Sequence, residues 1–425
     1  MSRPARPAPI LLLFVWAYSL IHFWQTGVRL ALANFYGDFL SNFPSSVIAA
    51  WAYRPDFYAG SLAERWLPPP VWGFGPVFNV ITLPLLWLPS LPAAYRVWLA
   101  ANYAFLIATA WLLYRLLLAG RRDLVTATAF GFLFLNYYPL YEALIQRTVE
   151  IFELLLIAIA MTCYAKRRDG AAGAVIGAAA MTKFLPAIFV GQFWLARRWR
   201  AFWTALGVIV VLGVAGQLTL GWQNNFVIRL LLERDEAYMP SITNQALSGL
   251  VLRTAHAAGQ DALAPLIAKL LIVVLLAAMS VWLLRIRRCG DWQLEWGLLC
   301  VAMVMLIPHN ENYYSIFFLV PYAVLLARAL QHQLRDRWSA PLAAASFLLI
   351  GWPIPLSVVD RVLEQSVAVI LLNASVPVYG AALLAGALIL ELRAAASADE
   401  LLDRGLPPRA AQASPAQSCR SSERY

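Results

Sequence analysis

The chain has 425 residues, 61% hydrophobic and only 13% charged, with 17 Trp, 17 Tyr, 21 Phe and a net charge of +10. That composition excludes an ordinary soluble domain, and the lack of a basic domain outside the apolar runs excludes a nucleic-acid-binding protein. Cys163, Cys289, Cys300 and Cys419 show neither CxxC nor metal-ligand spacing, so neither a disulfide framework nor a zinc site is expected.

Apolar runs of roughly 18–25 residues recur from Leu11 to Leu392, each long enough to cross a hydrocarbon core of about 30 Å as a helix. The expected fold is all-α, a polytopic bundle of about 10–12 transmembrane helices spanning residues 1–392. In chain order the expected crossings are 8–28, 93–117, 124–142, 149–165, 201–220, 263–286, 293–308, 313–330, 340–357 and 367–392. Residues 76–91 are apolar but interrupted by Pro84 and Pro89, and read as re-entrant or interfacial. Residues 171–195 lie between two basic loops, so they must turn back, and the MTKFLP stretch with Lys183 and Pro186 is the natural break. From Arg393 the chain turns rich in Ala, Ser, Pro and charge, which predicts a disordered cytoplasmic tail over 393–425. A secretory signal ending at Ala33 is disfavoured, because its apolar core would exceed the usual 7–15 residues.

Short loops sort by charge into two sets. One set (1–7, 115–123, 166–169, 197–200, 285–288, 328–337) holds 17 Lys and Arg against 3 acids; the other (29–75, 142–150, 221–262, 309–312, 358–366) holds 8 against 12. The positive-inside rule then puts both termini in the cytoplasm of a multi-pass inner-membrane protein and the acidic set outside.

The polar residues without a simple explanation gather on that outer side. Asp38, in NFYGDFL just past the first span, reads either as a catalytic carboxylate or as the cap of a helix starting near Phe39. Lys183 lies in an apolar segment, where an ammonium either meets an anion or snorkels to the interface. His309, in PHNENYY, reaches the outer rim. Asn244 and Gln245 either contact a ligand or cap the helix that follows, in which Leu247, Leu250 and Leu252 form one face. Arg54 and Arg147 are further cations, able to bind an anion or to pair with Asp56 or Glu150, and Glu142 and Glu150 are expected to be solvated or paired.

The order of these features resembles the GT-C superfamily, and within it glycosyltransferase family 87, which includes actinobacterial mannosyltransferases. The likeness rests on GDF after the first helix, WGFGPVFNVITLPLLWLP, FLNYYPLYEALIQRTVEIFELLL, GAAGAVIGAAAMTKFLPAIF, NQALSGLVLR and PHNENYY, in order over most of residues 30 to 330. The chain departs from the family pattern where Arg147 and Thr148 follow Gln146 and where Pro76 stands alone. The resemblance implies transfer of a hexose, mannose first, from a polyprenyl-phosphate donor to a lipid or glycan hydroxyl at the outer face of the membrane, without cofactor or metal. It implies Asp38 as general base in a single inverting displacement, with residues 31–75 as the catalytic loop and 221–262 as a second outer loop. Lys183, His309, Arg54, Asn244, Gln245 and Arg147 would meet donor phosphate or substrate. The rival reading is a polytopic transporter or lipid flippase, since broken helices bearing a charge also mark carrier sites.

Overall fold

The computed structural model describes residues 9–34, 75–220 apart from 83, 86, 87, 89 and 122, 241–286, 291–352 and 366–403. Asp38 and Arg54 therefore lie outside the described residues. Among those described, every regular element is helical, the arrangement in which a backbone in hydrocarbon satisfies its own polar groups. The chain is an all-α polytopic membrane protein.

The helices in order are α1 (Pro9–Ala33, with a π-helical turn over Phe23–Arg29), α2 (Pro76–Thr82), α3 (Leu91–Leu118), α4 (Leu124–Leu135), α5 (Tyr138–Gln146), α6 (Glu150–Ala165), α7 (Asp169–Lys183) and α8 (Ile188–Leu195). They continue as α9 (Trp199–Leu220), α10 (Leu247–Ala257), α11 (Ala264–Ile286), α12 (Trp292–Met305), α13 (Leu319–Leu330, entered through a 3-10 segment Asn312–Phe318), α14 (Ser339–Gly351), α15 (Val367–Asn373) and α16 (Val376–Asp403). Among the described residues six stretches are long and apolar enough to span: Pro9–Ala33, Pro92–Leu118, Trp199–Gly216, Ala264–Leu284, Asn312–Leu330 and Val376–Ser397.

Local chemistry sets the starts and stops. Asp123 caps α4, its carboxylate accepting from the Thr126 N–H at 2.9 Å and hydroxyl at 2.8 Å, which holds its pKa below the usual range. Ser90 and Ser366 cap α3 and α15 in the same way.

Long-range bonds divide the molecule into two ends. At one, Arg198 meets Asp169 at 2.8 Å, Arg328 grips both Asp291 oxygens at 2.6 and 2.7 Å, Gln331 reaches Leu117, and Glu391 accepts the Arg335 and Asp336 N–H groups. These are the loops of the basic set. At the other end Asn244 meets Pro308, Asn312 meets Glu142, and Arg147 meets Ala31. Between α1 and α4, Trp16 donates to Thr128 and Asn136 to Ser19, so the two run parallel and Pro9, like Asp123, starts near the basic end.

The MTKFLP break forms as expected. Phe184, at φ 34°, stops α7, a 3-10 turn over Leu185–Ala187 follows, and α8 returns. The Arg198–Asp169 pair joins the foot of α7 to the exit of α8, so the chain enters and leaves this hairpin at the basic end. The long side of the hairpin lies against α9 along a seam of small residues. A Cβ on Gly173 would stand 2.1 Å from the Ala201 carbonyl oxygen, and one on Gly177 2.7 Å from that of Ala205. This is the small-xxx-small contact by which helices approach closely in lipid.

Four expected boundaries move. The run 124–142 is helical only to Leu135; Asn136 ends α4 and turns its amide toward Ser19 and the Phe132 carbonyl. The run 313–330 begins in a 3-10 segment, and 367–392 is interrupted after Asn373. The tail expected from Arg393 begins as helix, since α16 continues to Asp403 with Ala395 buried. The described residues of 76–91 make the seven-residue α2 and a short turn before Ser90, and hold no helix long enough to cross.

Candidate active site

The end opposite the basic loops is built around the start of α6. In EIFELLLIAIA two acids three residues apart, Glu150 and Glu153, share one face of a helix that is otherwise apolar, and both are fully buried. Such a carboxylate is costly without a partner. Lys183, at the end of α7, supplies one: its Nζ lies 2.5 Å from Glu150 Oε1. The ammonium also sits over the ring of Tyr314 at 4.2 Å and over that of Tyr313 at 5.9 Å. Its side chain keeps 14% of its surface exposed, against none for Glu150, so the cation of the pair is the member that faces outward.

Two other segments converge there. The Gly75 N–H donates to the Thr182 carbonyl at 2.7 Å, which fixes the returning end of the first long loop beside Lys183. Asn312 donates to Glu142 on α5 at 2.6 Å. Glu142 lies past the end of α4, and burial pushes its carboxyl up to about 7, with hydrogen bonds from Asn312 and Tyr138 opposing and the Glu311 charge adding to the rise. Glu311 in turn is 3.7 Å from His309 Nε2. Lys183 and His309 are thus at the same end, linked through the PHNENYY segment, and both retain exposed surface.

The remaining candidates are committed to the fold. Arg147, at φ 52°, closes the turn between α5 and α6. Its guanidinium donates to the Ala31 carbonyl at 2.5 Å and to that of Asn34, and stacks over Tyr95 at 4.0 Å. It is 2% exposed, so it anchors the last turn of α1, a favourable place for a cation, and does not pair with Glu150. Asn244 is fully buried; its amide donates to Pro308 at 2.9 Å and its oxygen accepts from the Asn310 and Ala246 N–H groups at 3.1 Å. Gln245 donates to Ile242 and Leu372. These two residues sew the loop before α10 onto PHNENYY, and a Cβ on Gly249 would meet the Asn244 carbonyl at 2.2 Å. The helix they precede forms as read, with Leu252 buried.

Glu142, Glu150 and Glu153 are the residues sequence reasoning undervalued. Two carboxylates i, i+3 at the head of an apolar helix were the available signal. An apolar cavity of about 540 Å³, walled by α11, α12 and α16, runs from Leu247 at the start of α10 to Arg393 toward the basic end.

No curated protein and no solved structure matches the chain. The sequence profile of glycosyltransferase family 87 matches residues 72–308, more than half of the chain; the match includes Glu142, Glu150 and Lys183, begins after Asp38 and Arg54, and stops one residue before His309. With a family profile laid over the elements that build this site, the chain belongs to glycosyltransferase family 87.

Proposed function

We propose that this membrane glycosyltransferase takes a hexose, mannose first, from a polyprenyl phosphate and transfers it to an acceptor hydroxyl with inversion. The observation that carries the reading is the outward-facing ammonium of Lys183, held on Glu150 where the first long loop returns at Gly75. A donor phosphate arriving there finds a cation already oriented, and sharing it with Glu150 leaves the lysine paired throughout. As the acceptor oxygen attacks the anomeric carbon, the bond from that carbon to the phosphate oxygen breaks, and the electron pair leaves on a phosphate that Lys183 stabilises. The polyprenol would lie in the apolar cavity that reaches Leu247. Basic loops at the opposite end favour an outer location for the site. Membership in a glycosyltransferase family favours transfer over carriage by a transporter or flippase.

The acceptor proton goes to Asp38 in this reading. Three residues of sequence separate it from Asn34, which Arg147 holds. A second base is favoured by the place of Glu142, whose carboxylate accepts from Asn312 of the PHNENYY segment at 2.6 Å; burial there pushes it up to about 7, matched to proton transfer near neutral pH. His309 would meet the acceptor or the phosphate, and Arg54 the phosphate.

The test reconstitutes the purified protein with polyprenyl-phosphate-mannose and compares Asp38→Asn with Glu142→Gln across pH. With Asp38 as base, Asp38→Asn loses about 10²–10⁴-fold in rate and the wild type keeps its rate well below pH 6. With Glu142 as base, the wild-type rate rises with pH through about 7, and Glu142→Gln removes both the rate and that rise. Full activity of both variants would reject both carboxylates.

A further inference from the structure

One carboxylate beside the candidate site has no part in the transfer. Glu153 lies one turn into α6 from Glu150, about 4.5 Å further along the helix axis. The two stand i, i+3 on one face, with Cβ atoms about 5–6 Å apart, and both are fully buried. Neither oxygen of Glu153 meets a hydrogen-bond donor among the described residues, and Glu150 Oε2 meets none either, the Lys183 contact being to Oε1. Three sealed carboxylate oxygens are left beside the ammonium without an N–H or O–H, where buried acceptors are ordinarily bonded.

The elements packed on α6 bring little to balance them. From α7 comes Lys183; from the 3-10 segment come Tyr313 and Tyr314, whose rings lie under that same ammonium; from α3 come Tyr95, which stacks on Arg147, and Tyr103, which donates to the Gly27 carbonyl. Among the described residues the charges acting on Glu153 are those of Glu150 and Lys183. Two ionised carboxylates against one ammonium would leave a net negative charge in an apolar interior, which is costly, and like charges this close resist ionising together. One proton held by the two acids removes the excess charge. It also supplies the missing donor, since an O–H on Glu153 can bond the open Oε2 of Glu150 while Oε1 stays on Lys183.

We propose that Glu150 and Glu153 share one proton, carried by Glu153 as a hydrogen bond to Glu150 Oε2, and that Glu153 is thereby the positioning residue that keeps Lys183 open to an anion. The inference rests on the reading of Lys183 as the cation that meets the donor phosphate. With the proton in place the three groups are neutral together, and an arriving phosphate meets an ammonium held by one charge. With the proton lost, a second carboxylate competes for the ammonium and the site turns negative toward the phosphate it has to bind. Donor affinity therefore falls as pH rises past the loss of this proton. That is the opposite sense from a general base, whose deprotonation raises the rate. The shared proton stays with the two acids throughout the transfer, and no substrate bond is made or broken at Glu153.

The first test needs no donor. Infrared spectra of full-length protein in detergent are recorded across pH in a Glu142→Gln background, which silences that other buried carboxyl. The expected result is the carbonyl stretch of a protonated acid at neutral pH, lost as pH rises and absent after Glu153→Gln. The second test follows transfer from polyprenyl-phosphate-mannose by protein that keeps Glu142. KM should rise about tenfold over the pH range in which the band vanishes, and Glu153→Gln should abolish that rise. Glu153→Leu, neutral but unable to donate to Glu150, should fall about tenfold below Glu153→Gln in kcat/KM. A parent without an acid band overturns the proposal whether or not the variants fold. So does a band that survives Glu153→Gln, or an alkaline rise in KM that persists in that variant and so belongs to Lys183 itself. A band that goes with Glu153, in protein that makes no product from this donor, upholds the shared proton and rejects the donor instead.

Discussion

The two ends of this bundle use the same residue types for opposite purposes. At the basic end Arg328 and Asp291 bury each other almost equally, with side chains 12% and 14% exposed, and Glu391 is spent on backbone N–H groups. At the opposite end Lys183 and Glu150 are unequal, the carboxylate sealed and the ammonium left partly open. A pair closed on both sides fixes a turn. A pair open on its cationic side can add an anion without first being broken, which is the difference between a fastening and a binding group.

That contrast can be broken in order of expected effect. Lys183→Met should lower turnover about 10²–10³-fold, the range for losing one group that stabilises a developing anion; steady-state kinetics on lipid-phosphate-sugar donors checks it, and a rate within threefold of wild type would reduce Lys183 to a fastening. Glu150→Ala takes the carboxylate from a mostly buried ammonium and should cost about 3–5 kcal/mol, seen as a lowered midpoint in detergent unfolding, with Glu150→Ala/Lys183→Met recovering much of it. Gly173→Val forces a side chain against the Ala201 carbonyl and should cost about 1–3 kcal/mol. If the stability of that variant is unchanged, the close seam between α7 and α9 is not required. Asp123→Ala, at the basic end, should cost about 1 kcal/mol through its lost cap and leave the transfer rate alone. A changed rate there would mean that the two ends are not separate in function.

Much of the fold was readable from hydropathy and charge, because burying backbone in lipid leaves few choices. The turn-back at MTKFLP followed from basic loops on both sides of 171–195, and the shortness of the helix at the start of 76–91 followed from the prolines beyond it. The end of α4 at Leu135 was not readable, since YYPLY continues the apolar run while the stop depends on Asn136 finding Ser19 more than a hundred residues earlier. The site was legible in part for the same reason. Lys183 stood out as a charge in apolar surroundings, but its partner Glu150 is 33 residues away and looked like a loop acid. Arg147, Asn244 and Gln245 carry the right chemistry for a phosphate or a sugar, yet backbone carbonyls that no sequence pattern displays have already claimed them.

The α7–α8 hairpin is fastened at its foot by Arg198 and Asp169, guided along its length by the Gly173–Gly177 seam, and pinned at its tip by Glu150 and by the Gly75–Thr182 bond. A beam held at both ends cannot slide away from pressure on its flank, so crowding of the seam would bow the hairpin and pull the lysine off its carboxylate before it loosened the protein as a whole.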